Sequence, residues 1–163
     1  VMKSMDYLSS IVQEISDIPL KDFKMEEQNK EYEGATFVLG NQSFRSRMAK
    51  LTPKKQGYFV VFWEKDEANK NKSYDFVSAP DKLIITIVDQ DKRGQFIFPK
   101  EMLAEKRILR NGEHKGKMAL RVYPDWVTGL SKTATRTQRW QSPFFIDLTT
   151  THDLKRLEKL YLD

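Results

Sequence analysis

An acid two residues before a lysine is the pattern with which a strand holds a divalent ion and assists an attacking water. The spacing occurs at Asp22-x-Lys24, Glu113-x-Lys115 and Asp153-x-Lys155, and a Pro-Asp pair stands at Pro80–Asp81. A metal-dependent nuclease built this way needs one acid at a strand end and the spaced pair inside the next strand. None of the three pairs lies in an apolar strand. The first is in a polar segment, the second is flanked by Gly112 and Gly116, and the third falls on a predicted helix. Asp89 and Asp91 in "VDQDKRG" offer a metal site at a strand end, and equally a plain turn leading into Gly94. No catalytic residue is assigned, and a nuclease with a displaced active site around Asp81, Asp89 or Asp91 stays open as the alternative.

Other chemistries lack their parts. With no cysteine and only His114 and His152, the usual zinc ligand sets cannot be assembled. Neither common glycine-rich phosphate loop is present, so no nucleotide cofactor is expected. A serine triad would need one of the histidines, and both are expected at the surface. The expectation is no cofactor and no metal.

Basic and aromatic residues occur together. "KLTPKKQGYFVVFWEKD" places Lys50, Lys54 and Lys55 around a proline turn at the mouth of an apolar run, and Arg45 and Arg47 share one face of the preceding strand. Lys117 and Arg121 add charge further on. "RTQRWQ" adds Arg136, Gln138, Arg139 and Trp140. Arginine and lysine meet phosphates, arginine and glutamine also read base edges, and an exposed tryptophan stacks on an unpaired base. Each has a plainer use. Trp140, next to "SPFF", suits a core, and Arg45 and Arg47 suit an ion pair with the acidic amino-terminal helix.

Charge is segregated along the chain. Residues 1–40 carry four lysines against eight acids, residues 41–65 six bases against Glu64, and residues 92–121 nine bases against three acids, within a net charge of +5. Blocks of this kind suit a polyphosphate partner, and equally a surface charged for solubility.

The elements that must position these residues follow from periodicity. Tyr7, Leu8, Ile11, Val12 and Ile15 form one stripe of a helix that stops before Pro19. "KDFKMEEQNKEY" is expected as an exposed helix or a loop. "SFRSRMAKL" alternates as a strand, with Arg45, Arg47 and Ala49 on one side. "GYFVVFW" and "KLIITIV" are apolar on both faces, which predicts central strands covered on both sides. The first should pair with "SFRSRMAKL" as an antiparallel hairpin through "TPKKQG". "GQFIFPK" and "KMALRVYP" read as strands, "KEMLAEKRIL" and the segment up to Gln141 as helices. The last helix carries Leu154, Leu157, Leu160 and Tyr161, with Thr151 as its expected N-cap.

The 163 residues, 39% apolar and 31% charged, suit one α/β domain over residues 1–163, with a central mixed, mostly antiparallel sheet flanked by helices on both sides. Residues 1–4, "VMKS", read as a cloning remnant. No apolar run is long enough to cross a bilayer, so no membrane partner is expected. A cytoplasmic location is the default for a chain without cysteines.

"YEGATFVL", "FRSRMAKLTPKKQGYFVVFWEK", "GQFIFPKEML", "KGKMALRVYPDW" and "TQRWQSPFF", in this order, resemble the MepB family of small bacterial proteins. The match runs from about Tyr32 to Phe145. The resemblance implies a restriction-endonuclease-like fold and nucleic-acid binding without the expected nuclease residues, and it carries over no catalytic residue. The expected function is a non-catalytic DNA-binding protein that uses a basic face of Arg45, Arg47, Lys50, Lys54, Lys55, Lys117, Arg121, Arg136, Gln138, Arg139 and Trp140. Besides the displaced nuclease, a module that meets an acidic protein remains an alternative.

Overall fold

In the computed structural model, which describes residues 3–163, the chain opens on helix α1 (Lys3–Ile15). Its apolar stripe, Leu8, Ile11, Val12 and Ile15, is buried as its spacing predicts. Val1 and Met2 lie outside the described residues. Ser4 lies within α1, where it is buried, and its backbone N–H and hydroxyl donate to Glu33 Oε1 at 2.9 and 2.8 Å.

Strands β1 (Lys21–Met25), β2 (Ala35–Leu39) and β3 (Gln42–Met48) follow as an antiparallel meander. The segment of β1 was expected as helix or loop. It is an edge strand with all five residues exposed, so it has no apolar face from which to be recognised. Its lysines and a register shift beside Asp22 blunt the open edge.

After Met48 the chain changes sheet. The N–H of Ala49 still bonds Thr86 O of the first sheet. The next two residues form β4 (Lys50–Leu51), which pairs with β5 (Tyr58–Val61) in a second, three-stranded sheet ordered β10-β5-β4. A short hairpin, β6 (Glu64–Lys65) and β7 (Asn71–Lys72), leads on to β8 (Lys82–Asp89), which returns to the first sheet parallel to β3. β9 (Lys92–Pro99) folds back antiparallel on β8, and α2 (Lys100–Glu105), β10 (Ala119–Val122), α3 (Lys132–Gln141), β11 (Phe145–Asp147) and α4 (Leu154–Leu162) complete the chain. The main sheet has six strands ordered β1-β2-β3-β8-β9-β11, with β3 and β8 its one parallel pair.

Two apolar layers hold this mixed sheet. On one face α1 and α4 pack against Phe37, Phe44, Ile84 and Ile97. On the other, Leu83, Ile85, Ile87, Phe96 and Phe98 meet Leu103 of α2, Trp140 of α3 and the inner face of the small sheet, Tyr58, Val60, Phe62, Leu120 and Val122. Strand β8 feeds both layers, as its doubly apolar sequence predicts. The "GYFVVFW" run does not. Its strand is the middle one of the small sheet, its inner side chains are buried, and Phe59, Val61 and Trp63 stay half-exposed outside both cores. The N-cap of α4 is Asp153, whose carboxylate accepts from the N–H of Arg156, and not Thr151. Among the described residues no helix is long and apolar enough to cross a membrane.

Candidate nucleic-acid interface

The change of sheet after β3 decides what its arginines can do. Arg47 stands at the corner between the sheets and is fully buried. Its Nε donates to Val61 O, Nη1 to Glu26 Oε1 at 2.6 Å and to Ser46 O, and Nη2 to Asn29 Oδ1 and Tyr74 Oη, both at 3.0 Å. Gly34 makes the room, since a Cβ there would lie 2.8 Å from Arg47 Nη1. Arg45 donates from Nε to the same Glu26 at 3.1 Å and lies 3.6 Å above the Tyr74 ring. Burial alone pushes the Glu26 carboxyl up, but the Arg47 and Arg45 charges and hydrogen bonds outweigh it and hold the group below the ordinary carboxylate range. Both arginines are thereby withdrawn from the binding face expected of them. Their partner comes from the acidic amino-terminal block, from the residue after β1 and not from α1.

The outer face of the small sheet is where charge and aromatic surface meet. Cross-strand register places Lys50 of β4 and Arg121 of β10 on either side of Phe59 of β5, and directly paired residues share a face. The Arg121 guanidinium lies 5.5 Å from the centre of the Phe59 ring. Tyr32 meets Phe59 edge-on at 6.4 Å, and Lys50 Nζ lies 4.9 Å from the Tyr32 ring. Among the described residues, the ion pair to this row comes from the exposed Glu31, 4.0 Å from Lys50.

The β4–β5 loop extends the row. Gly57, at φ +82°, closes it where a side chain would strike Tyr123 and Val122 O. Arg121 Nη1 donates to Thr52 Oγ1 and Gln56 O, and Gln56 Nε2 donates to Thr128 O, so the loop is tied down from two sides. Lys54 and Lys55 are left exposed, with no ion-pair partner among the described residues.

The remaining expected residues do not join this face. Lys117 is exposed but lies beyond the start of β10, at the end away from the loop. Gln138 donates from Nε2 to Pro124 O and Val127 O and fastens α3 to the loop after β10. Trp140 packs on Phe98 at 5.5 Å as part of the core, with Lys106 over its ring. Arg136 and Arg139 are exposed on α3, where they line a separate groove. Tyr32 and Phe59 were not foreseen. The one signal in the sequence was an apolar run with cations at both ends.

Two carboxylates of the nuclease reading, Asp81 and Asp89, are parted by the fold, while Asp91 lies two residues beyond Asp89 in the turn before β9. Asp81 and Asp89 flank the two ends of β8, roughly 25 Å apart at the rise of a strand. Asp81 Oδ2 accepts from the N–H and hydroxyl of Ser43, and Asp89 Oδ2 from Tyr58 Oη at 2.6 Å. That bond and burial, burial foremost, push the Tyr58 hydroxyl up to about 12. Among the described residues no three His, Asp or Glu side chains gather as a metal set. His152 Nδ1 lies 2.8 Å from Glu14 Oε2, and His114 is exposed in a turn.

A mixed six-stranded sheet between helices, with a second small sheet presenting a basic and aromatic outer face, defines a single α/β domain. The MepB-like family model matches residues 26–147, and the chain belongs to that family. It is similar to the crystal structure of MepB, with 44% identity and a TM-score of 0.81 over 93% of this chain and 100% of that one. No curated protein matches the chain.

Proposed function

We propose that this protein binds nucleic acid, DNA in the first instance, without cutting it, and that the outer face of the three-stranded sheet is the surface of contact. The observation that carries the reading is the row Lys50–Phe59–Arg121, continued by Tyr32 on one side and by Lys54 and Lys55 on the loop. Cations that flank an accessible aromatic ring give the two things a nucleic acid needs, phosphate neutralisation and a flat apolar surface against which a base can lie. The frame is read as restriction-endonuclease-like, supported by the mixed sheet with helices on both faces and by Pro80–Asp81 at the entrance to β8. A cytoplasmic setting is part of the proposal and suits a chain without cysteines.

Affinity for a duplex and for a single-stranded oligonucleotide, measured against salt, tests this reading. Contacts from Lys50, Lys54, Lys55 and Arg121 to about four phosphates give a log–log slope of about −3.6 on B-DNA. Lys54→Glu with Lys55→Glu should weaken binding to all sequences alike and flatten that slope. A salt-independent signal, or one displaced by heparin but not by DNA, would transfer the surface to an acidic protein partner. Plasmid cutting in Mg²⁺ that Asp89→Ala abolishes would restore the nuclease alternative.

A further inference from the structure

Helix α3, "KTATRTQRWQ", carries Lys132, Arg136 and Arg139 at i, i+4 and i+7 and holds no acid. Like charges at this spacing destabilise a helix, so the stripe is a local cost without a partner inside its own helix. The face it decorates borders an open groove of about 710 Å³ between α3 and the start of α4. Arg139 and Thr135 stand on one wall and Arg156 on the other, with Ser142 between them in sequence and on the lining.

Arg156 is held in place. Its Nε donates to Phe145 O at 3.2 Å, and Nη2 donates to Phe145 O at 2.6 Å, Pro143 O at 3.1 Å and Ser142 O at 3.3 Å. These are carbonyls of the turn after α3 and of the first residue of β11, so the guanidinium plane is set by the fold before any ligand arrives. Its Nη1 has no protein partner among the described residues and belongs to a side chain on the groove wall. The guanidinium of Arg139 has no protein partner at all among them. One carboxylate, the exposed Asp125, also lines the groove, with its Oδ1 accepting from Ser142 Oγ at 2.9 Å. A smaller depression beside Arg139 adds Lys132 and Arg136, and another beside Arg156 adds Lys159.

We infer that the α3–α4 groove is a second anion site that takes a phosphate group, with Arg156 as its fixed donor and Arg139 as its mobile one. Two guanidinium groups on opposite walls offer more N–H donors than the two oxygens of a carboxylate can accept, and the Thr135 hydroxyl, which donates to Leu130 O, is not needed for the count. A phosphate, with three or four oxygens arranged in a tetrahedron, can receive from both walls at once. The groove is several times larger than the ion, so the phosphate arrives as a monoester on a larger body. That body is either a small phosphorylated metabolite or the phosphorylated end of a nucleic acid. The inference does not depend on the sheet-face interface, which uses other residues.

The experiment is a titration of the whole protein with inorganic phosphate, followed by NMR through the arginine side-chain Nε–H signals. Saturable shifts at Arg139 and Arg156, with Arg121 unmoved, are expected. Arg139→Ala should weaken the phosphate affinity about tenfold or more with an unchanged thermal midpoint. Because Arg156 also braces a turn, Arg156→Lys is its companion variant: it keeps the charge, loses the fixed fork, and should also bind phosphate more weakly. Oligonucleotides with a 5′-phosphate and a 5′-hydroxyl then separate the sources. A preference for the phosphorylated end that Arg139→Ala removes assigns the nucleic acid, whereas equal binding of the two together with saturable shifts from a sugar phosphate assigns the metabolite. The Lys54→Glu, Lys55→Glu variant should keep the phosphate shifts even where it has lost nucleic-acid binding. Shifts that do not saturate, that move Arg121 equally, or that persist unchanged in Arg139→Ala overturn the site.

Discussion

Glu26 Oε1 and Arg47 Nη1 lie 2.6 Å apart, with the arginine side chain at 0% and the glutamate at 14% exposure. The pair joins the residue after an edge strand to the corner where the chain passes from one sheet to the other. Arg45 shares the same carboxylate, and Tyr74 Oη donates to its second oxygen at 3.2 Å. Removing the carboxylate therefore strands two cations, one of them fully buried.

Glu26→Ala is expected to lower stability by about 3–5 kcal/mol, the range found when one member of a buried pair is deleted. Glu26→Gln should cost less because its amide oxygen still accepts. The exposed neighbour Glu27→Ala should stay within about 0.5 kcal/mol. Urea unfolding of the three variants checks the order. The pH dependence has a definite sign. The folded carboxyl titrates below its ordinary 4.5, so the unfolded chain takes up the proton first as pH falls. Stability from Glu26 is then fully present above about pH 4.5 and is lost below it, down through the folded value. The Glu26→Gln variant should lack this part of the acid limb.

The same pair explains why the corner was illegible in the primary structure. Alternation in "SFRSRMAKL" places Arg45 and Arg47 on one face, which is correct for β3. Whether that face meets water depends on residues 14 and 27 positions away, through Val61 O and Tyr74 Oη. Composition likewise cannot separate β5 from β8. Both read as doubly apolar, but β8 lies fourth of six strands in a sheet covered on both sides, whereas β5 is the middle of a three-stranded sheet that is covered on one. Helices α1 and α4 were legible because an apolar stripe at helical period needs no knowledge of its partner. The three-residue β11 follows a break at Pro143 and is too short to show any period.

Lys82 makes a second buried cation. Its Nζ donates to Leu160 O, Tyr161 O and Asp163 O at 2.8, 2.9 and 2.8 Å, and so caps the carbonyl end of α4 from the first residue of β8. Burial lowers its pKa, against the opposing pull of Asp163, Asp81 and Glu101. Lys82→Met should leave those carbonyls without their donor and cost about 1–3 kcal/mol. The loss should fall on α4, whose amides are expected to exchange with solvent faster while those of β8 and β9 keep their protection. Uniform loss of protection across the main sheet would show instead that Lys82 supports the sheet itself.

Phe59 and Trp140 provide the sharpest separation of surface from core. Phe59 belongs to neither apolar layer, whereas Trp140 packs on Phe98 beneath Lys106. Phe59→Ala should therefore leave the unfolding midpoint almost unchanged. If a base lies against that ring, the variant should weaken single-strand binding by about 1–3 kcal/mol, the worth of one stacked base. Trp140→Ala should behave in the opposite way. It should destabilise by about 2–4 kcal/mol, somewhat under the cost of truncating a fully buried tryptophan, and leave the affinity of the folded fraction intact. Fluorescence anisotropy of a labelled oligonucleotide at a temperature where both variants are folded reads the two effects independently. If Trp140→Ala lost affinity and Phe59→Ala kept it, the binding face would belong to α3, where the arginine stripe begins.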